Sequence, residues 1–159
     1  MYSVRKIQWK PLLFSLLISL GIGTLSGFLI RNNTGFYRTV NRPALSPPGS
    51  VFPIVWTILY ILMAISAYLV YESNPGCRKP ALTVYAVQLA VNFVWPLIFF
   101  NLEAYLSAFI VLLLLCVLVL GMIVLFYRCS RPAAFLQIPY FLWLIFAAYL
   151  NYGIFILNR

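Results

Sequence analysis

Five long apolar segments without a charged residue constrain this chain more than any other feature. They run over about Leu12–Ile30, Val51–Tyr71, Pro80–Phe100, Ala104–Tyr127 and Pro132–Leu157. Each has at least about 19 residues, and about 20 helical residues cross the hydrocarbon core of a bilayer. Only 8% of the chain is charged, which is too little to cover a water-facing surface. The sequence therefore predicts an all-α integral membrane protein, a bundle of five transmembrane helices in a single domain over residues 1–159.

The first segment has two interpretations. The basic residues Arg5, Lys6 and Lys10 before an apolar run are also typical of a signal peptide, but the uncharged run is long for such a peptide. Small residues recur every four positions along it, which suits close packing against a neighbouring helix. These small residues are Ser15, Ser19, Gly23 and Gly27. We therefore favour a retained membrane span.

Basic residues predict the orientation in the membrane. The end of the bundle that holds the N-terminus carries Arg5, Lys6, Lys10, Arg78, Lys79, Arg128 and Arg131. The other end carries Arg31, Arg38, Arg42 and Arg159. Because cytoplasmic loops carry the excess of Lys and Arg, we expect a cytoplasmic N-terminus, with the first loop and the C-terminus outside, in a bacterial cell membrane. The net charge of +9 then meets lipid headgroups, and we expect no nucleic-acid partner.

The composition argues against several kinds of chemistry. The chain has no His, the usual ligand of zinc and haem and the usual general base. Cys77, Cys116 and Cys129 lack metal-ligand spacing, so we expect no metal, no disulfide framework and no resident cofactor. No Ser–His–Asp set or carboxylate pair is present, which disfavours hydrolytic enzymes. No charge lies within a span, so a proton-coupled transporter has no evident coupling group.

The one long connection, Arg31–Ser50, precedes the second segment and is stiff. Pro43, Pro47, Pro48 and Gly49 prevent a regular helix there. We expect the next helix to start at Ser50, with Pro53 tolerated in its first turn because the missing N–H would have no partner there. We interpret this loop as a cap over an internal pocket.

Three segments carry polar and aromatic side chains at steps of three or four, so each set shares one helix face. The sets are Trp56, Tyr60, Met63 and Ala67; Tyr85, Gln88, Asn92, Trp95 and Phe99; and Tyr140, Trp143, Ala147 and Asn151. Pro96 cannot donate to the carbonyl of Asn92, which predicts a kink beside it. Each set alone is more often plain helix packing, but three sets in one small protein favour a pocket. The fourth segment, nearly all Leu, Val and Ile, is expected to face lipid or another subunit.

Three sequence blocks in this order resemble the translocator protein family (TspO/MBR, also called tryptophan-rich sensory proteins or peripheral-type benzodiazepine receptors). The blocks are RPALSPPGSVFPIVWTILYILM at Arg42–Met63, QLAVNFVWPLIFF at Gln88–Phe100 and PYFLWLIFAAYLN at Pro139–Asn151. The resemblance covers nearly the whole chain and implies a five-helix bundle, usually a homodimer, with a cavity near the first loop. It implies a receptor-like protein that binds porphyrins such as protoporphyrin IX and similar hydrophobic molecules, for sensing, sequestration or transport.

The resemblance and the helix faces together nominate the ligand-binding residues. These are Tyr37, Pro47, Pro48, Trp56, Tyr60, Gln88, Asn92, Trp95, Phe99, Trp143 and Ala147. By resemblance, Asn92 and Trp56 would contact a ligand carbonyl. Arg31, Arg38 and Arg42 would pair with porphyrin propionates above the pocket, or else only contact headgroups.

Two alternatives to a receptor-like protein stay open. Some bacterial relatives are reported to degrade protoporphyrin in light, and the tryptophans matching Trp56 and Trp143 would then be the catalytic residues. A small-molecule transporter is the other alternative. The chain also departs from its relatives, since Phe36 and Leu45 stand where they often have Trp, which predicts a weaker hold on planar ligands. The sterol pattern near the end of the fifth helix is incomplete because Arg159 is too far along, so sterol recognition is not carried over.

Overall fold

The computed structural model describes residues 6–159, and this part of the chain contains five spans and no strand. The helices are α1 (Trp9–Ile30), α2 (Val51–Tyr71), α3 (Pro75–Pro96), α4 (Tyr105–Cys129), α5 (Arg131–Leu136) and α6 (Ile138–Leu157). A π turn over Leu97–Asn101 extends α3, and α5 and α6 together form the fifth span. All five spans are long and apolar enough to cross a membrane, which confirms the predicted bundle. Arg5, counted above for orientation, lies outside the described residues.

Local sequence sets the helix starts. α3 begins at Pro75 rather than Pro80, because the Asn74 side chain accepts a hydrogen bond from the backbone N–H of Gly76 at 2.9 Å and proline suits the first helical position. α2 begins at Val51, but Ser50 makes no side-chain cap. The Ser50 backbone is already helical, which agrees with the expected start of this helix at Ser50.

Prolines interrupt two of the spans. Pro96 ends the regular α geometry of α3, and the chain continues in the wider π turn. The chain stays α-helical up to Pro96, so the irregular geometry begins after Pro96 and not beside Asn92, where we predicted a kink. The fifth span breaks at Gln137, shortly before Pro139, which divides it into α5 and α6.

α1 packs against α2 through its small residues, as predicted. The Ser15 hydroxyl donates to the carbonyl of Ala64 at 2.7 Å, and the Ser19 hydroxyl donates to the carbonyl of Tyr60 at 2.8 Å. Gly23 lies so close to the Tyr60 ring that a Cβ at this position would overlap it. This close fit favours a retained span over a signal peptide.

α4 has a buried face and an exposed face. Six residues at steps of three or four have no exposed surface: Ala108, Leu112, Leu115, Val119, Met122 and Phe126. The opposite face exposes Leu114, Val117 and Leu120. The expectation that α4 faces lipid or another subunit can therefore apply to its exposed side only, because the other side is part of the core.

Cys77 and Cys129 form a disulfide, contrary to our expectation. Cys77 lies in the first turn of α3 and Cys129 ends α4, and these helices run antiparallel, so the two ends meet. Their Cα atoms are 5.7 Å apart, a normal separation for a disulfide. The bond closes the end of the bundle that lies away from the first loop, and Cys116 remains a free thiol.

The loop between α1 and α2, residues 31–50, is fixed to α6. Asn41 and Asn158 pair twice: the Asn41 backbone N–H donates to the Asn158 side chain at 3.0 Å, and the Asn158 amide donates to the Asn41 carbonyl at 2.8 Å. The Tyr149 hydroxyl donates to the carbonyl of Ala44 at 2.6 Å. These bonds hold the loop over the end of the bundle.

Candidate ligand-binding site

A cavity of about 690 Å³ lies beneath the loop, within the range of about 300–1,000 Å³ that is usual for small-molecule sites. The loop-side halves of α1, α2, α3 and α6 form its walls. Small residues leave this space open. Gly27 of α1 lines it, and a Cβ at Gly27 would meet nothing within 4 Å. Ala147 of α6 lines it from another side.

Aromatic side chains from α2 and α3 form one wall of the cavity. The ring centre of Trp56 lies 6.3 Å from that of Trp95 and 5.8 Å from that of Tyr60. Trp95 stacks on Phe99 with centres 5.5 Å apart. Because indole and phenyl faces favour offset stacking, this wall suits a flat, apolar ligand.

A chain of four hydrogen bonds leads from the cavity wall into the core. The Tyr60 hydroxyl donates to Asn92 Oδ1 at 2.7 Å, and Asn92 Nδ2 donates to the Tyr140 hydroxyl oxygen at 2.6 Å. Tyr140 in turn donates to Gln88 Oε1 at 2.8 Å, and Gln88 Nε2 lies 3.8 Å from Met63 Sδ. Tyr60 and Asn92 line the cavity, whereas the other three residues lie behind them.

The two tryptophans of the wall differ in their free hydrogen-bonding capacity. The Trp95 indole N–H donates to Asn151 Oδ1 at 3.1 Å, and Asn151 is itself held by the carbonyl of Tyr105 at 2.8 Å. The Trp56 indole N–H has no hydrogen-bond partner among residues 6–159. Trp95 is therefore fixed in place, and Trp56 keeps a donor for a ligand.

The mouth of the cavity is positively charged. Arg38 and Arg42 line it, and neither forms an ion pair within residues 6–159. The Arg42 guanidinium lies over the Tyr37 ring at 4.9 Å. Arg31 does not line the cavity, and its guanidinium covers Phe28 at 3.8 Å. Two of the three loop arginines can thus attract an anionic group of a ligand to the mouth.

Most of the nominated residues line this cavity. They are Tyr37, Pro48, Trp56, Tyr60, Asn92, Trp95, Phe99 and Ala147. Pro47, Gln88 and Trp143 lie outside the lining. The Pro47 carbonyl accepts a hydrogen bond from the Tyr37 hydroxyl at 3.0 Å, so Pro47 supports the mouth instead.

Trp143 does not line the cavity. Its ring packs at 6.0 Å from Phe52 and 5.5 Å from Phe146. Its indole N–H is buried and has no hydrogen-bond partner in residues 6–159. The structure therefore does not place Trp143 beside Trp56 on the cavity surface, where the resemblance put it.

Several lining residues were not nominated from the sequence. They include Gly23, Gly27, Phe52, Phe100, Leu150, Asn151 and Ile154. Helical spacing had already placed Asn151 on the same face as Ala147, although Asn151 was not nominated as a ligand contact. The same spacing could have found Phe52, which precedes Trp56 by one turn. Gly27 belonged to the small-residue set of α1, but its spacing alone predicted helix packing.

Comparisons with known proteins agree on one family. The model of the TspO/MBR family matches residues 14–157. The chain is 33% identical over 158 residues to "Tryptophan-rich protein TspO" of Chlorobaculum tepidum, covering 97% of this chain and 98% of that protein. It is 32% identical over 148 residues to the protein of the same name from Archaeoglobus fulgidus, with 92% and 96% covered. It is 37% identical over 150 residues to "Translocator protein" of Ovis aries, with 91% and 88% covered.

Proposed function

We propose that this chain, which belongs to the TspO/MBR family and is an integral membrane protein, binds metal-free porphyrins such as protoporphyrin IX in the cavity beneath its first loop. The observation that carries the proposal is the pairing of an aromatic wall with a basic mouth. Trp56 and Trp95 offer flat apolar surface, and Arg38 and Arg42 stand above them.

A porphyrin fits this arrangement chemically. Its macrocycle is flat and apolar, so it gains by stacking on indole and phenyl rings. Its two propionates lie on one edge, where arginine can form charge-assisted hydrogen bonds. The chain contains no His, the most frequent protein ligand of haem iron in many haem proteins, so the proposal concerns the metal-free macrocycle.

Binding can be tested by tryptophan quenching with protoporphyrin IX and with its dimethyl ester, which lacks the carboxylates. Each exposed ion pair contributes about 0.2–1 kcal/mol, so Arg38→Gln combined with Arg42→Gln should weaken protoporphyrin binding by about two- to thirtyfold. The same double variant should leave ester binding unchanged. Arg31→Gln is the matched control, because Arg31 lies on the same loop but outside the lining.

A second substitution tests the wall rather than the mouth. Trp56→Ala removes stacking surface, so it should weaken the porphyrin and its ester alike. Wild-type protein that binds neither compound, or a Trp56→Ala protein that binds both as tightly as wild type, would overturn the proposal. Equal effects of the Arg31 and the Arg38/Arg42 substitutions would place the anion contact elsewhere.

Binding can serve sensing, sequestration or transport, and each use has its own assay. Flux of protoporphyrin into proteoliposomes tests transport. Loss of the Soret band of bound porphyrin in light, faster than for free porphyrin, tests the photo-oxidative alternative with Trp56 and Trp143. The family resemblance also leads us to propose a homodimer, which light scattering of the purified protein in detergent tests.

A further inference from the structure

A second cavity lies at the end of the bundle away from the first loop, beside the Cys77–Cys129 disulfide. Its volume is about 480 Å³, within the range of about 300–1,000 Å³ that is usual for small-molecule sites. Its lining is mainly polar and includes Lys6, Glu72 and Ser73. Cys129 lines this cavity, whereas its disulfide partner Cys77 does not. A small molecule in the cavity therefore meets the disulfide from the Cys129 side.

Both cysteines lie at helix ends outside the apolar part of the bundle. Cys77 is in the first turn of α3, and Cys129 is the last residue of α4. Neither belongs to the charge-free segments Pro80–Phe100 and Ala104–Tyr127. Both side chains are partly exposed. The disulfide is therefore within reach of molecules that approach from water.

Basic residues around the disulfide indicate which molecules can approach it. Four of them lie within two positions of the two cysteines: Arg78, Lys79, Arg128 and Arg131. The excess of basic residues predicts that this end lies in the cytoplasm, where thiols keep disulfides reduced. Lys6 and Glu72 both line the second cavity, so the four surrounding charges make its field positive. This field attracts small anions.

The two sulfurs differ in how well they can leave as thiolates. Cys77 lies at the N-terminal end of α3, where the helix dipole stabilises negative charge. Cys129 lies at the C-terminal end of α4, where the dipole disfavours negative charge. Each helix end changes the stability of a nearby charge by about two- to fivefold, so the two ends together favour a thiolate at Cys77 by about three- to thirtyfold.

Ser73 adds to this difference. Its hydroxyl lies 3.5 Å from Cys77 Sγ, and since a disulfide sulfur carries no proton, the hydroxyl is the donor. A disulfide opens faster when the more stable thiolate is the one that leaves. Departure of Cys77 requires attack on Cys129, and Cys129 is the cysteine that lines the second cavity.

We propose that Cys77 and Cys129 form a redox site at which a small anionic thiol, bound in the second cavity, attacks Cys129 Sγ and releases Cys77 as the thiolate. Lys6 attracts the thiol, and Ser73 stabilises the leaving thiolate. The site lies at the opposite end of the bundle from the cavity proposed for porphyrins, and it does not depend on that function.

The reaction consumes two molecules of thiol. In the first step the attacking thiolate bonds to Cys129 Sγ, the protein S–S bond breaks, and its electron pair leaves on Cys77 Sγ. In the second step another thiolate attacks the sulfur of the bound thiol, and the electron pair of that bond leaves on Cys129 Sγ. The protein disulfide gains two electrons, the two thiols become one small disulfide, and their protons pass through water to the cysteines.

The sulfur that is attacked can be identified by mass spectrometry. The full chain in nanodiscs is exposed briefly to 3-mercaptopropionate, quenched with acid, alkylated with N-ethylmaleimide at mildly acidic pH and digested. We expect the thiol adduct on Cys129 and the maleimide on Cys77, in about three- to thirtyfold excess over the reverse pattern. Cys116, the free thiol, should carry no thiol adduct.

Two substitutions separate the approach of the thiol from the departure of Cys77, with the rate of disulfide reduction as the readout. Lys6→Gln should slow reduction by 3-mercaptopropionate by up to about fivefold and leave reduction by uncharged 2-mercaptoethanol unchanged. Ser73→Ala should slow reduction by both thiols alike, by about two- to twelvefold. Lys10→Gln is the matched control for Lys6→Gln, because Lys10 does not line the second cavity, and it should change neither rate.

Four results would overturn the proposal. The first is a disulfide that neither thiol reduces in the folded protein, which would make the bond purely structural. The second is an adduct found on Cys77 at least as often as on Cys129. The third is an effect of Lys6→Gln that is absent or equal for both thiols, and the fourth is a Ser73→Ala protein that is reduced as fast as wild type.

Discussion

Filling the cavity from α1 gives a sharp test of where ligands bind. Gly27 lines the cavity and has open space where a Cβ would stand, so Gly27→Phe introduces a benzyl group of seven non-hydrogen atoms. Each atom of a drug-sized ligand contributes about 0.3 kcal/mol to binding. A ligand whose seven atoms are displaced by this benzyl group should lose about 2 kcal/mol of binding free energy, which is about thirtyfold in affinity.

The assay is a quenching titration with protoporphyrin IX in nanodiscs, beside a circular-dichroism melt of each variant. Gly21→Phe is the control, because Gly21 lies on the same helix with open space around it but does not line the cavity. We expect Gly21→Phe to bind like wild type and neither variant to lose helix content. Wild-type affinity in a folded Gly27→Phe protein would refute the assignment of the ligand to this cavity.

Gly153→Ala should loosen the first loop, because a Cβ at this position would overlap Pro43. Limited proteolysis should then cut the loop faster than in wild type. Gly121→Ala is the control and should leave the rate of proteolysis unchanged, because a Cβ there would have no neighbouring atom within 4 Å. In denaturing detergent a maleimide should label one cysteine thiol before reduction and three after reduction. Labelling of three thiols without reduction would show that Cys77 and Cys129 do not form a disulfide. A C-terminal alkaline phosphatase fusion should be active in a bacterial host, since the excess of basic residues at the other end of the bundle predicts that the C-terminus lies outside. An inactive phosphatase fusion together with a fluorescent GFP fusion would contradict the predicted orientation.

Helix faces could be predicted from the sequence because spacing within a helix is a local property. The face of α3 from Tyr85 to Phe99 is buried at every predicted position. Which part of that face meets the cavity depends on the neighbouring helices, and spacing does not contain this information. Asn92 and Trp95 line the cavity, whereas Gln88, one turn earlier, supports it from behind.

Features that depend on distant contacts could not be predicted in this way. Trp143 shares a predicted face with Ala147, yet its ring packs against Phe52 of another helix. Cys77 and Cys129 are 52 residues apart, and only the antiparallel arrangement of α3 and α4 brings them together. Both outcomes depend on the relative positions of whole helices rather than on local preferences.

A structure determined with protoporphyrin IX bound tests the central claim most directly. The account predicts density for the macrocycle against the Trp56–Trp95 wall, with its propionates within hydrogen-bonding distance of Arg38 and Arg42. Density on the lipid-facing surface of the helices, or a cavity closed by its own side chains at saturating porphyrin, would contradict it.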